Sequence, residues 1–291
     1  MATQSIQNTN VTTTRRPLNL PRQVGKWGAF AILLIFAVIW LLPIAWVLDT
    51  SFKPEGETTI LPLTWLSSAF NIQAYISVLS SSDLPRWYFN SVFTSVIISA
   101  AVVLLASMAS FSISRIPFKG RSVVFWLILC GLMIPGQVLL VPLFSLMQSF
   151  QMIDTYWGII LPQIFSPFAV FIFKQFFDGI PHEYEEAARM DGASPWRIYW
   201  QIWMPLARPA IATIAISTFV AAWNNFIWPF LVVTGTDMMT VPVGLATVQT
   251  SYGIRYAQIM ASAILGGLPA VIVFVIFQRQ IVAGLAGGLK D

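Results

Sequence analysis

Charge is scarce in this sequence. Only 10% of its 291 residues are Asp, Glu, Lys or Arg, against 57% hydrophobic, and the mean hydropathy is +0.74. Soluble domains carry about 25% charged residues, so an ordinary soluble fold is excluded. Cysteine is nearly absent. Cys130 stands alone within an apolar run, which excludes an internal disulfide and reads as a small packing residue. The one histidine, His182, has no second His or Cys with which to share a metal, so no metal site is expected and the residue reads as part of a loop. Also missing are a Gly-x-x-x-x-Gly-Lys-Ser/Thr loop to cradle phosphates, a Ser-His-Asp set and paired carboxylates within the apolar runs. No catalytic residue and no cofactor are therefore expected on this chain.

What is present is a series of long apolar runs. A membrane span needs about 20 largely apolar residues, and reading between charges gives six, at about 27–48, 88–113, 122–147, 155–174, 209–232 and 256–278. Aromatics reach 14%, with 12 Trp, as suits rings at two membrane interfaces. The third run is interrupted by Pro135-Gly136 and Pro142, the fourth by Pro162 and Pro167. Proline removes a helix donor and clashes one turn back. Such breaks survive at membrane depth only where protein or a cavity receives the freed backbone groups, which favours a pathway-lining bundle. The runs contain no Asp or Glu, which an ion-coupled carrier would be expected to use.

The basic residues orient the spans. With the N-terminus inside, thirteen of the sixteen Lys and Arg fall on the cytoplasmic side; only Lys53, Arg86 and Arg255 fall outside. The expected fold is an all-α integral membrane protein with six transmembrane helices, N-in and C-in, multi-pass in the cell (plasma or inner) membrane. Residues 1–26 form a polar cytoplasmic tail, 27–283 the six-span domain, and 284–291 a flexible cytoplasmic tail. The net charge of +4 is spread by membrane side, so lipid, not nucleic acid, is its expected environment.

One charged segment breaks the pattern. Between the fourth and fifth runs, about 178–205 is expected to form two short cytoplasmic helices joined by a turn. Pro181 is placed at the first helical position, with Glu183, Glu185 and Glu186 at the positive end of the helix dipole. Asp191-Gly192 is a stop and Ser194-Pro195 a restart. Trp196, Tyr199, Trp200 and Trp203 then recur at helical spacing, ahead of Pro205. An amphipathic linker on the membrane surface would carry more basic residues, and the acidic cluster would be repelled by anionic headgroups. A docking element for a soluble partner fits better.

Glu186-Ala187-Ala188, then Gly192, then Ile202-Trp203-Met204-Pro205 resembles the EAA loop of ATP-binding cassette importer permeases. Met204 stands where the family has Leu, a swap that keeps volume and apolarity. Ser51-Phe52-Lys53-Pro54, Trp223-Asn224-Asn225-Phe226 and the tail 284–290 extend the resemblance to the smaller permease of maltose-type sugar importers. Many relatives have an acidic residue where this chain has Asn225.

The resemblance implies a complex. A second permease completes a heterodimer, two ATPase subunits bind ATP and Mg, and an extracytoplasmic binding protein delivers a sugar. This chain would form half of the pathway and work by alternating access. Glu185, Glu186, Ala187, Ala188, Asp191, Gly192, Ile202 and Pro205 would form the coupling surface for an ATPase. The tail 284–290 would reach toward the ATPase interface. The outer loop at about 235–253 would meet the binding protein, with Thr247, Gln249, Thr250 and Tyr252 as candidates. Candidate pathway residues are Trp223, Asn224, Asn225 and Trp228, with Gln137 and Gln163 beside the broken prolines; the Trp and Asn residues read equally as interface anchors and helix glue. The lack of charge deep in the runs favours an uncharged cargo. A permease of the same class for a non-sugar solute is the alternative, and an ion-coupled secondary carrier a more distant one.

Overall fold

The computed structural model describes residues 22–62, 64–67, 69–81, 83–251 and 255–287. The polar stretch 1–21, the candidate Tyr252 and the last residues, 288–291, lie outside the described residues. The chain divides into two compact units, 1–46 and 47–291.

Among the described residues every regular element is a helix. The first, α1 (Arg22–Ser51), crosses the unit boundary. Within the first unit, the rings of Trp27 and Phe30 meet edge to face. In the second unit the chain after α1 folds on itself. Lys53 pairs with Asp49 at 2.6 Å and donates to the Thr64 carbonyl at 2.5 Å. Phe52 stacks on Phe70, and Ser51 shares a hydrogen bond with Tyr75 on α2 (Gln73–Ser81).

The organising element is α3 (Leu84–Arg115), a 32-residue helix that packs against α7 (Pro167–Asp178) and α11 (Arg208–Trp223). Among apolar residues such as Trp87, Ile98, Val102 and Phe111, its buried face carries a series of small polar ones: Asn90, Ser91, Thr94, Ser95, Ser99, Ser107 and Ser110. Small side chains let helix backbones approach, and their hydroxyls bond across the gap. Ser99 donates to the Ala215 carbonyl (2.6 Å) and Ser110 to the Val170 carbonyl (2.8 Å). These contacts add to the apolar packing of the same helix.

The expected breaks appear with one relocation. The third run is α4 (Arg121–Cys130) with the turn 131–133, then the turn 136–139 with α5 (Leu140–Ser149); the halves meet at 92°. The break falls at Ile134-Pro135. Pro142 does not break the helix: it is the third residue of α5, in a first turn whose N–H groups need no helical partner. The fourth run is α6 (Tyr156–Ile160) with the turn 161–163, bent by 47° from α7. Thr155 caps α6, and Ser166 caps α7 with Pro167 in its first turn.

The charged insert forms α8 (Glu183–Met190), α9 (Pro195–Ile198), a π-helical turn at 199–203 and α10 (Met204–Leu206). Gly192, with φ +75°, makes the turn between α8 and α9. Ser194 caps α9 through the Arg197 N–H. Pro181, expected as the first helical residue, lies two residues before α8; His182, expected in a loop, is the N-cap.

Three further differences concern helices. The fifth run is not continuous: α11 ends at Trp223 and α12 (Ile227–Val232) follows a gap at Asn224-Asn225-Phe226. The outer loop at 235–253 is mostly helix, α13 (Val241–Ser251). Val241, Val243 and Leu245 are buried there, the Val241 N–H donates to Ser91 Oγ (2.8 Å), and Gly244 lets the helix lie against Trp87, where a Cβ would collide with the indole. The last helix, α14 (Tyr256–Gly287), continues through the first residues of the expected flexible tail.

Candidate functional site: a docking tier seated on the end of α3

The insert has an outer and an inner layer. In α8, Glu186 and Ala187 are exposed, as are Asp191 and Gly192 in the turn and Pro205 beyond. Ala188 and Ile202 are half-buried and pack on the interior. Glu185 turns inward, its side chain 8% exposed, and binds Arg189 at 2.6 Å. Its charge is thus engaged within the helix, while that of Glu186 faces out.

The aromatic series divides the same way. Tyr199 and Trp203, one turn apart, are buried; Trp196 and Trp200 are exposed. Trp203 packs edge-on to Phe177 of α7 and lies beside Phe111 of α3. The Tyr199 hydroxyl shares a 2.7 Å hydrogen bond with Ser107 of α3, and its ring meets Phe111. The insert is therefore fastened to α3 by two aromatic residues and not merely tethered by loops.

Arg115, the last residue of α3, completes the joint, and sequence reading missed it. Its guanidinium lies 4.1 Å from the centre of the Trp203 ring, a stacked cation–π geometry. It donates to the carbonyls of Phe177 and Ile180 and, at 2.8 Å, to the ring of His182, the N-cap of α8. One side chain thus gathers the ends of α3 and α7, the start of α8 and the π-turn. In sequence it is one more basic residue after an apolar run, counted only for topology. The one available signal was the concentration of aromatics at Phe177, Tyr199 and Trp203, which need a buried cation's company no more than an aliphatic neighbour's.

Gln163 and Asn225, separate candidates in sequence, are brought together by two helix breaks. Asn225 Nδ2 donates to Gln163 Oε1 (2.7 Å), and Gln163 Nε2 to the Ile159 carbonyl (2.7 Å). Both line a largely apolar cavity of about 490 Å³, with Val102, Phe165, Ser166 and Thr218. Trp223 and Trp228 are buried, their indole N–H groups bound to the carbonyls of Gly266 and Gly158. Asn224 is exposed and donates to the Val220 carbonyl, while Gln137 is exposed in the turn before α5.

At the opposite end of α3, Trp87 and Asn90 donate to the carbonyls of Thr236, Asp237 and Met239. Asp154 accepts from the N–H groups of Thr234 and Gly235 and from the Thr234 hydroxyl, each at 3.1 Å. Partial burial raises the Asp154 carboxyl, but these three donors outweigh it and hold the group below its ordinary value. Of the binding-protein candidates, Thr247 lies on α13 and donates to the Val243 carbonyl; the side chains of Gln249 and Thr250 fall outside the described residues.

Residues 103–286 match the family described as the binding-protein-dependent transport system inner membrane component. The chain belongs to this family. The match runs from the second half of α3 through α4 to α7, the whole insert and α11 to α14. The permease is 38% identical to the arabinooligosaccharides transport system permease of Halalkalibacterium halodurans, over 87% of this chain and 92% of that one. It is 33% identical to the diacetylchitobiose uptake system permease of Streptomyces coelicolor, over 89% and 86%. Among solved structures, a bacterial ABC transporter involved in the import of the polysaccharide alginate has the same fold, with a TM-score of 0.76, covering 88% of this chain and 96% of that one at 23% identity. The permease is a membrane protein and a subunit of an ABC importer.

Proposed function

We propose that the permease forms half of the translocation pathway of a sugar importer and receives the ATP-driven stroke through its insert. The observation that carries this reading is the two-layer insert: an exposed face of Glu186, Ala187 and Gly192 over a buried joint of Tyr199, Trp203 and Arg115 fixed to α3. A face that docks an ATPase transmits force only if its back is rigidly held. Here the back is an aromatic core, not a flexible linker.

In this reading six spans run N-in to C-in: α1, α3, α4 with α5, α6 with α7, α11 with α12, and α14. The segment α9–α10 lies along the cytoplasmic surface and turns by 77° into α11. The stroke tilts α3 and α7 with the insert, a rigid-body switch between inward- and outward-open states. A second permease completes the pathway, two ATPase subunits hold ATP and Mg, and an extracytoplasmic binding protein delivers cargo near the outer end of α3. Sugar as cargo is supported by relatives named for arabinooligosaccharides and diacetylchitobiose. Gln163 and Asn225, a neutral hydrogen-bonding pair in a cavity with Phe165, suit an uncharged polyol. Trp223 and Trp228 serve packing in this reading.

The test is purification of the tagged permease from mild detergent, followed by ATP hydrolysis with and without sugar-loaded binding proteins. Co-purification of an ATPase and a second permease, with hydrolysis stimulated by one loaded binding protein, is expected. A chain that purifies alone and moves solute in vesicles without ATP would overturn the reading.

A further inference from the structure

A second cavity, more polar than the first, lies beside the insert, and transport gives it no role. We infer that it binds a phosphate-bearing anion. It measures about 450 Å³ and sits where the end of α3, the start of α4 and the end of α7 meet. That volume accepts a phosphoglycerol-sized group. Arg115, Arg121 and Lys174 line it, against one carboxylate, Asp178. Lys174 is already paired with Asp178 at 2.5 Å and lies over the Phe125 ring. Among the described residues, neither Arg115 nor Arg121 has a carboxylate within 4 Å, so the cavity holds surplus positive charge.

Two of the lining residues each carry a buried polar atom without a partner: Ser114 Oγ and Arg115 Nε. Arg115 is only 6% exposed. Native structures seldom leave buried donors unpaired, and each such group calls for a missing acceptor. The first turn of α4, ten residues long and starting at Arg121, adds free amides and a positive dipole end. Arg121, the serine, the Arg115 Nε left over from its bonds to His182, Phe177 and Ile180, and the helix start together exceed what the two oxygens of a carboxylate satisfy. A phosphate supplies more acceptors and matches the guanidinium fork.

Two sources carry that chemistry: an anionic phospholipid headgroup and a soluble phosphate monoester. The surroundings favour the lipid. Phe118 on the α3–α4 connection, and Val123 and Trp126 on α4 next in sequence to the lining residues Ser122 and Phe125, are exposed and apolar, and offer a path for acyl chains. That the rim meets the cytoplasmic leaflet rests on the topology proposed above; anion binding does not.

The test is native mass spectrometry of the full-length, delipidated permease titrated separately with phosphatidylglycerol, phosphatidylcholine and glycerol phosphate. Phosphatidylglycerol is expected to bind best, with affinity falling about thirty-fold in Arg121→Gln/Lys174→Gln, from two basic groups lost near an anionic headgroup. Ser114→Ala, which leaves every charge and the helix intact, should weaken binding several-fold and keeps the test valid if the double variant fails to fold. Equally tight binding of glycerol phosphate, lost in the same variants, would assign the site to a soluble ligand and support the phosphate site. Phosphatidylcholine binding as tightly as phosphatidylglycerol, unchanged affinity in folded variants, or no binding by the wild type would each overturn it. None of these readouts measures uptake, so their failure is separable from failure of the importer reading.

Discussion

Trp203→Ala separates docking from transmission. Trp203 is 0% exposed, packs edge-on against Phe177 at 5.5 Å between centroids, and carries the Arg115 guanidinium on its face. Truncating a buried Trp to Ala costs about 3–5 kcal/mol, part of it from the cavity left behind. The loss falls on the joint between the π-turn, α3 and α7, where the ring meets Phe111, Phe177 and Arg115. The Tyr199–Ser107 hydrogen bond, worth about 1 kcal/mol net, and the Tyr199 ring on Phe111 remain. They hold the segment to α3 but no longer to Phe177 of α7 or to the Arg115 guanidinium through a shared ring, so the joint should yield under a domain-scale stroke.

The expected outcome is uncoupling. The ATPase should still co-purify and hydrolyse ATP, while sugar uptake per assembled complex falls at least tenfold. Trp203→Phe keeps a ring against Phe177 and Arg115 and should retain most of the uptake. The assay is paired uptake and hydrolysis in proteoliposomes at matched assembly. Undiminished uptake by Trp203→Ala would refute the lever argument. Loss of ATPase co-purification would refute the division between an outer docking layer and an inner joint.

Other perturbations test other parts. Glu186→Arg reverses an exposed charge, and Gly192→Pro demands a φ near −65° where the chain has +75°; both should abolish ATPase co-purification and uptake while membrane insertion survives, read by fractionation and pull-down. Gly192→Ala meets no neighbour within 4 Å, so only its left-handed backbone, about 1 kcal/mol, should be felt, as a small drop in thermal midpoint. Gly244→Ala puts a methyl into the Trp87 indole and should destabilise by about 1–3 kcal/mol in detergent thermal unfolding, through displacement of α13. The depressed Asp154 carboxyl contributes stability that is complete above its unfolded value near 3.8 and is lost as pH falls through its lower folded value; Asp154→Asn should flatten that acid-side decline in thermal midpoint. Gln163→Ala and Asn225→Ala should each raise the KM for uptake, with a double variant less impaired than the two single effects combined, because each removes the same 2.7 Å bond.

Much of the architecture was legible because it rests on local rules. Proline positions marked the breaks near 135 and 167, and Gly192 and Ser194-Pro195 marked the turn and restart of the insert. What stayed hidden depends on tertiary partners. Nothing in 235–253 marks α13 as a packed helix, since its buried face exists only against Ser91 and Trp87, some 150 residues earlier. The interruption at 224–226 carries no proline; Asn225 becomes legible only when Gln163 is seen opposite it. The aromatic series in the insert has helical spacing on every side, so period alone did not say that Tyr199 and Trp203 turn inward while Trp196 and Trp200 turn out.

The placement of the two hydrophobic clusters bears on mechanism. One cluster joins Ile98, Val102, Phe111 and Ile113 of α3 with Phe173, Phe177, Tyr199 and Trp203. The other joins Leu84 and Trp87, at the opposite end of α3, with Trp223, Trp228, Val241 and Val243. Helix α3 contributes to both, and a 32-residue helix is about 48 Å long, enough to carry a displacement across a bilayer. Between Trp87 and Ile98 the buried residues of α3 are Asn90, Ser91, Thr94 and Ser95, small groups that tolerate sliding better than interlocked large side chains. The large side chains that resist movement lie on either side of this stretch, toward α13 and from Ile98 onward toward the insert. In the proposed reading, a rod gripped on both sides of one loose stretch transmits a tilt while letting the pathway beside it open. Filling the small-residue stretch of α3 with Leu at Ser95 should therefore lower uptake more than hydrolysis, whereas equal loss of both would mean that the small residues serve assembly alone.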